Sequence, residues 1–128
     1  MKNLEKYLTL LTGEVDGLLL TSRYSRHYGA EYDIAEGVAV VSKAGCRYFT
    51  DNRYTEAAMN GIKGFEVLDV AKGGGYVKCI NKCIEDFGIT TILVKAIDNH
   101  NFWLKARHVL EMPFIFAARK RRLNHEES

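Results

Sequence analysis

The side chains with which this sequence could do chemistry are four histidines (His27, His100, His108, His125), three cysteines (Cys46, Cys79, Cys83) and the acids Glu31, Asp33 and Glu36. Metal-assisted hydrolysis needs ligands at a spacing such as HExxH, and these histidines are scattered without one. Nucleophilic catalysis needs a serine or cysteine beside a base, and no such pair assembles from the spacing. The acids alternate with apolar residues in a polar stretch, a pattern more typical of solvated carboxylates than of catalytic ones. Cys79 and Cys83 stand i, i+4 on an expected helix. They would share a metal or a redox role only if other ligands converged on them, and plain core packing is the expected state. An odd number of cysteines without CxxC speaks against a secreted disulfide scaffold and against a structural zinc site.

Two further features invite an anion. Gly73-Gly74-Gly75 precedes a helix, but it lacks both the GK[ST] ending and the GxGxxG spacing of phosphate loops, so a surface connection is expected. Arg119-Lys120-Arg121-Arg122 is a basic run near the end of the sequence and reads as a solvated tail or linker. A nucleotide- or nucleic-acid-binding domain would have to rest on these two features alone.

The elements that must position any site follow from periodicity. Leu4, Tyr7, Leu8 and Leu11 form a helical stripe ending near Gly13, and Gly17-Leu18-Leu19-Leu20 is a short apolar run suited to a buried strand. Thr21 to Glu36 has no clean period and reads as a helical turn and a loop. Gly37 to Val41 and Arg47 to Thr50 read as an antiparallel hairpin, with Gly45 expected to supply a positive φ. A helix from Arg53 to Gly61 follows, with Asp51 as its expected cap. Then come a strand at Phe65–Val70, a helix with the stripe Tyr76, Ile80, Cys83, Ile84 and Phe87 ended by Gly88, and a strand at Thr91–Val94. A helix from Phe102 to Leu110 and a last strand at Pro113–Phe116 are expected to close the chain. Helices alternating with strands after a hairpin indicate an α/β domain with a mixed β-sheet covered by helices.

At 128 residues and 47% apolar content, the chain is the size of one domain with a real core. Residues 1–118 are expected to form that domain and 119–128 a basic linker or tail. Four bases and two acids between Ala117 and Ser128 account for the whole formal charge of +2, leaving the body neutral. A neutral body without a basic, aromatic-rich face is not expected to bind nucleic acid. No long apolar run and no signal-like N-terminus are visible, so no membrane association and a cytoplasmic location are expected.

The hairpin with its continuation, Gly37-Val38-Ala39-Val40-Val41 and then Tyr48-Phe49-Thr50-Asp51-Asn52-Arg53-Tyr54-Thr55-Glu56-Ala57-Ala58, resembles a specific pattern. The segment is similar to the (F/W)TDxRYxxxA region of the creatinase/prolidase N-terminal domain. Val15-Asp16-Gly17-Leu18-Leu19-Leu20 and Phe65-Glu66-Val67 resemble two of that family's strands, so the likeness covers about the first seventy residues. It implies a ribonuclease H-like α/β domain from an Xaa-Pro dipeptidase or aminopeptidase, with no catalysis of its own. In the family, two Asp, one His and two Glu of the following catalytic domain hold two divalent metals such as manganese, and no position here corresponds to them. The resemblance implies a supporting role, with partners in the protein's own C-terminal catalytic domain and in a homodimer. Tyr28, Tyr32 and Asp33 are the candidates for contact at the active-site entrance or with another subunit, by position. Asp51, Arg53 and Tyr54 are read as a structural motif. The alternative is a stand-alone binding or oligomerisation module without peptidase activity.

Overall fold

The computed structural model describes residues 2–11, 15–95 and 104–106. Helix α1 (Lys2–Leu8) leads into strand β1 (Gly17–Leu20), helix α2 (Arg23–Ala30) and the hairpin strands β2 (Val38–Ser42) and β3 (Cys46–Thr50). Helix α3 (Thr55–Gly61), strand β4 (Glu66–Asp69), helix α4 (Tyr76–Phe87), strand β5 (Ile92–Lys95) and strand β6 (Leu104–Ala106) come next. The strands form one mixed sheet in the order β4-β3-β2-β1-β5-β6. β1 is parallel to β5 and β3 to β4, whereas β2 is antiparallel to both its neighbours and β6 to β5. The carboxyl ends of β1, β3, β4 and β5 therefore share one edge of the sheet, and the loops leaving them share one surface.

Alternation along the strands builds two cores. Leu19, Val38, Val40, Phe49, Ile92 and Val94 face α4, whose Ile80, Cys83 and Ile84 complete that layer. Leu18, Leu20, Ala39, Val41 and Tyr48 face the other way, against Leu4, Tyr7, Ala30, Ala58 and Ile62 of α1, α2, α3 and the residue after it. Leu18, Leu19 and Leu20 are all fully buried, as a short uncharged run in a two-sided sheet requires. Each contributes about 1.5–3 kcal/mol of burial.

Several expectations are corrected. Thr21 to Glu36 is not a turn and loop throughout: it holds α2, begun by Ser22, whose hydroxyl accepts the Ser25 N–H at 3.2 Å. The helix is invisible to hydropathy because its buried residues are Ser25, Arg26, Gly29 and Ala30. Gly45 has no positive φ. It is needed for space, since a Cβ there would lie 2.7 Å from the Phe87 ring. Asp51 does not cap α3. The N-cap is Tyr54, without a side-chain bond, and the Asp51 carboxylate closes the turn before it by accepting the Arg53 N–H at 2.8 Å. Of the helix expected over Phe102–Leu110, the described residues Leu104–Ala106 form a strand that pairs with β5, and the rest lies outside the described residues. Pairing with an otherwise open strand edge overrides the local helical preference there. The strand expected at Pro113–Phe116 and the tail at 119–128 lie outside the described residues.

Candidate contact surface at the carboxyl edge of the sheet

The segment from Glu31 to Gly37 crosses the carboxyl edge between α2 and β2, beside the turn Asp51–Tyr54 that leaves β3. Glu31 ends α2 in the left-handed conformation (φ 55°), its N–H donating to the His27 carbonyl at 2.8 Å. Ile34 then buries its side chain in the α1–α3 core, while Asp33, Ala35 and Glu36 stay exposed. Thr50, fully buried at the end of β3, donates its hydroxyl to the Glu36 carbonyl at 2.7 Å.

The six predicted residues divide into three settings. Tyr28 is half-buried and meets the Tyr7 ring edge-on, with centroids 5.2 Å apart, so it belongs to the packing of α1 on α2. Tyr32 is half-buried with its ring against Gly61, which ties the crossing segment to the end of α3. Asp33 is exposed and accepts two bonds from the Arg23 guanidinium, at 2.7 and 2.9 Å. Asp51 and Arg53 form a second clamp at 2.8 Å, and Glu36 reaches the same guanidinium at 3.5 Å. Arg53 also lies over the Tyr54 ring, 5.3 Å from its centroid. Asp33, Glu36, Asp51, Arg53 and Tyr54 are thus brought onto one surface, and Tyr28 is not among them.

The electrostatics decide what this surface can do. The hydrogen bond from Arg23 holds the Asp33 carboxyl below the ordinary carboxylate value, and that from Arg53 does the same to Asp51. Both carboxylates are engaged by guanidinium groups, whereas a general base needs a carboxylate oxygen free to reach the proton it takes. Burial pushes the Cys83 thiol up to about 12 and raises Cys79 as well, which withholds the thiolate a nucleophile needs. Two of the three glycines before α4 spend their amides inside the chain: Gly74 N–H donates to the Ala71 carbonyl at 3.2 Å and Gly75 N–H to the Val70 carbonyl at 3.0 Å. A phosphate cradle needs those groups free.

Among the described residues no group of three or more His, Cys, Asp or Glu side chains could hold a metal ion. Asp33 is paired with Arg23, and Glu36 and Asp51 with Arg53, so these carboxylates among the described residues do not fit a metal pair. Among the same residues no helix is long and apolar enough to cross a membrane.

The expectations passed over the residues beneath the surface. Arg26, 3% exposed, donates to the Ile34 carbonyl at 2.9 Å, to Ala35 at 3.2 Å and to the Tyr48 hydroxyl at 2.8 Å. Burial raises the Tyr48 pKa despite the opposing effect of Arg26. No periodicity signal marks an arginine as buried, and only its partners in space reveal the role.

Comparison with known proteins agrees with this architecture. The profile of the Creatinase/Prolidase N-terminal domain matches residues 3–105. An uncharacterised peptidase, YqhT, of Bacillus subtilis is 36% identical over 75 residues, 59% of this chain and 21% of that protein. The Xaa-Pro dipeptidase from Bacillus anthracis superposes with a TM-score of 0.61 at 27% identity, over 73% of this chain and 25% of that one. The X-Pro aminopeptidase from Thermotoga maritima gives a TM-score of 0.63 at 25% identity, over 71% and 26%. The chain thus spans about a quarter or less of the length of these relatives. On the profile match and the shared mixed sheet, the chain belongs to the creatinase/prolidase N-terminal domain family.

Proposed function

We propose that this domain is the non-catalytic N-terminal part of an Xaa-Pro metallopeptidase, supporting oligomerisation and shaping the entrance of a catalytic domain. In this reading residues 1–118 form the domain and 119–128 the linker. The observation that carries it is the profile match over residues 3–105 to an N-terminal domain, in relatives of which this chain spans a quarter or less. The carboxyl-edge surface supports it: Asp33, Glu36 and Asp51 are exposed or partly exposed carboxylates paired with Arg23 and Arg53, a polar surface of the kind a partner can dock against. Tyr32 and Asp33 are its contact residues. Tyr28 acts one layer below, by setting α2 on α1. Asp51, Arg53 and Tyr54 keep the neighbouring turn in shape.

The hydrolytic water and the two divalent metals that activate it, manganese being one candidate, belong in this reading to the catalytic domain. Partners are that domain and a second copy of the protein. Nucleic acid and membrane have no part in it, and the protein works in the cytoplasm.

The test is the size of the native gene product, read by immunoblot with an antibody against this domain, together with an assay of the purified chain. A band well above 14.5 kDa supports the reading. A band at 14.5 kDa favours the stand-alone binding or oligomerisation module instead. Cleavage of Xaa-Pro dipeptides by the purified chain in the presence of manganese would overturn both.

A further inference from the structure

Arg26 is nearly inaccessible, yet none of the ion pairs among the described residues includes it. Its guanidinium faces two backbone carbonyls and a phenol, and its Nε has no hydrogen-bond partner among the described residues. Burying a cation against neutral groups is unfavourable, and a methionine or leucine would fill similar space without that penalty. The compensation lies in the backbone. Ile34, Ala35 and Glu36 offer three successive carbonyls to donors beneath the segment, the Ile34 bond buried and the other two partly so, and the buried one would be an orphaned acceptor without its donor. Arg26 supplies the first two and Thr50 the third. Gly37 comes next with no room for a side chain, since a Cβ would sit 2.8 Å from the Phe49 carbonyl oxygen.

We infer that Arg26 is the positioning residue of the crossing segment, its planar fork fixing Ile34 to Glu36 so that Asp33 and Glu36 are presented in one geometry. The inference rests on the proposed function for its meaning, because there the segment faces a partner. It concerns conformation, and can be tested on this chain alone. A fork that binds two carbonyls and a hydroxyl from one plane has no equivalent in lysine, whose compact ammonium cannot reproduce the parallel geometry.

The experiment is ¹⁵N relaxation on the full chain, comparing wild type with Arg26→Lys, Arg26→Met and Thr50→Val. In the wild type, backbone order parameters at 33–36 should equal those of β1 and β2, about 0.85. In Arg26→Lys and Arg26→Met they should fall below about 0.6 at 33–36, with β1 and β2 unchanged. Thr50→Val should loosen only 36 and 37, which gives a second reading should Arg26→Met fail to fold. Order parameters that stay high at 33–36 in Arg26→Lys would overturn the inference, as would loss of order spread equally over the sheet. Neither result touches the peptidase reading. That reading fails on the immunoblot, whatever the relaxation data give.

Discussion

Removing the carboxylate of Asp16 should loosen the junction between the two parallel central strands. Asp16 lies just ahead of β1 and accepts hydrogen bonds from the Thr90 N–H at 3.0 Å, the Thr90 hydroxyl at 2.8 Å and the Thr91 N–H at 2.9 Å. Its own N–H donates to the Thr91 carbonyl at 3.1 Å. One side chain therefore ties the entry of β1 to the entry of β5, some 75 residues later. Burial acts to raise its pKa, but the bonds from Thr91 and Thr90 outweigh it and hold the carboxyl below its ordinary value. A hydrogen bond to a charged group contributes about 1.5–3 kcal/mol. Because water still reaches this carboxylate, we take about 2 kcal/mol for the whole set rather than the sum. With a urea slope of about 1–3 kcal/mol/M, Asp16→Ala should lower the midpoint by about 1 M at pH 7, and Asp16→Asn by about half that. A depressed folded pKa contributes stability above the unfolded value of about 3.9 that is lost as pH falls through the folded value. Wild type and Asp16→Ala should thus converge in urea titrations run from pH 7 down to pH 2. A midpoint change below about 0.3 M at pH 7, or a full-sized one persisting at pH 2, would refute the reasoning.

Other substitutions probe other layers. Gly37→Ala should destabilise by about 1–3 kcal/mol through overpacking against Phe49 and Tyr48, each 2.8 Å from the added carbon, and should be measured by thermal melting. Leu19→Ala, at a fully buried position in the centre of the sheet, should cost about 2–5 kcal/mol in the same assay. Thiol labelling at pH 8 read by mass spectrometry should leave Cys83 untouched in the native chain, with half-buried Cys46 reacting first and all three reacting in denaturant. Arg47 bridges Glu66 at 3.1 Å and Asp86 at 2.7 Å while lying 4.6 Å from the Phe87 ring centroid. Arg47→Ala should cost about 1–2 kcal/mol in low salt and less in 1 M NaCl, since added salt screens the ion pairs but not the ring contact.

The elements best read from the sequence are those whose burial tracks hydrophobicity. β1, the β2–β3 hairpin and α4 with its Gly88 terminus sit where the apolar patterns place them. The candidate surface is legible in part: Asp33, Asp51, Arg53 and Tyr54 share the carboxyl edge, but Tyr28, picked from its place in the chain, turns inward to Tyr7. α2 is hidden because Ser25, Arg26 and Gly29 carry no apolar signature although all are buried. β6 reads wrongly as helix because an edge strand is specified by the neighbour it pairs with, more than by its own three residues.

The α/β class, the antiparallel hairpin and the family can be read from residue order alone, because apolar period and a contiguous motif are local properties that survive without coordinates. The strand order, the parallel pairing of β1 with β5, and the set of side chains that share the carboxyl edge emerge only in the folded chain. These depend on contacts between residues far apart in the chain, such as Asp16 with Thr90 and Arg26 with Tyr48. No window of sequence contains both partners, and the energy of each contact exists only once the sheet has brought them together.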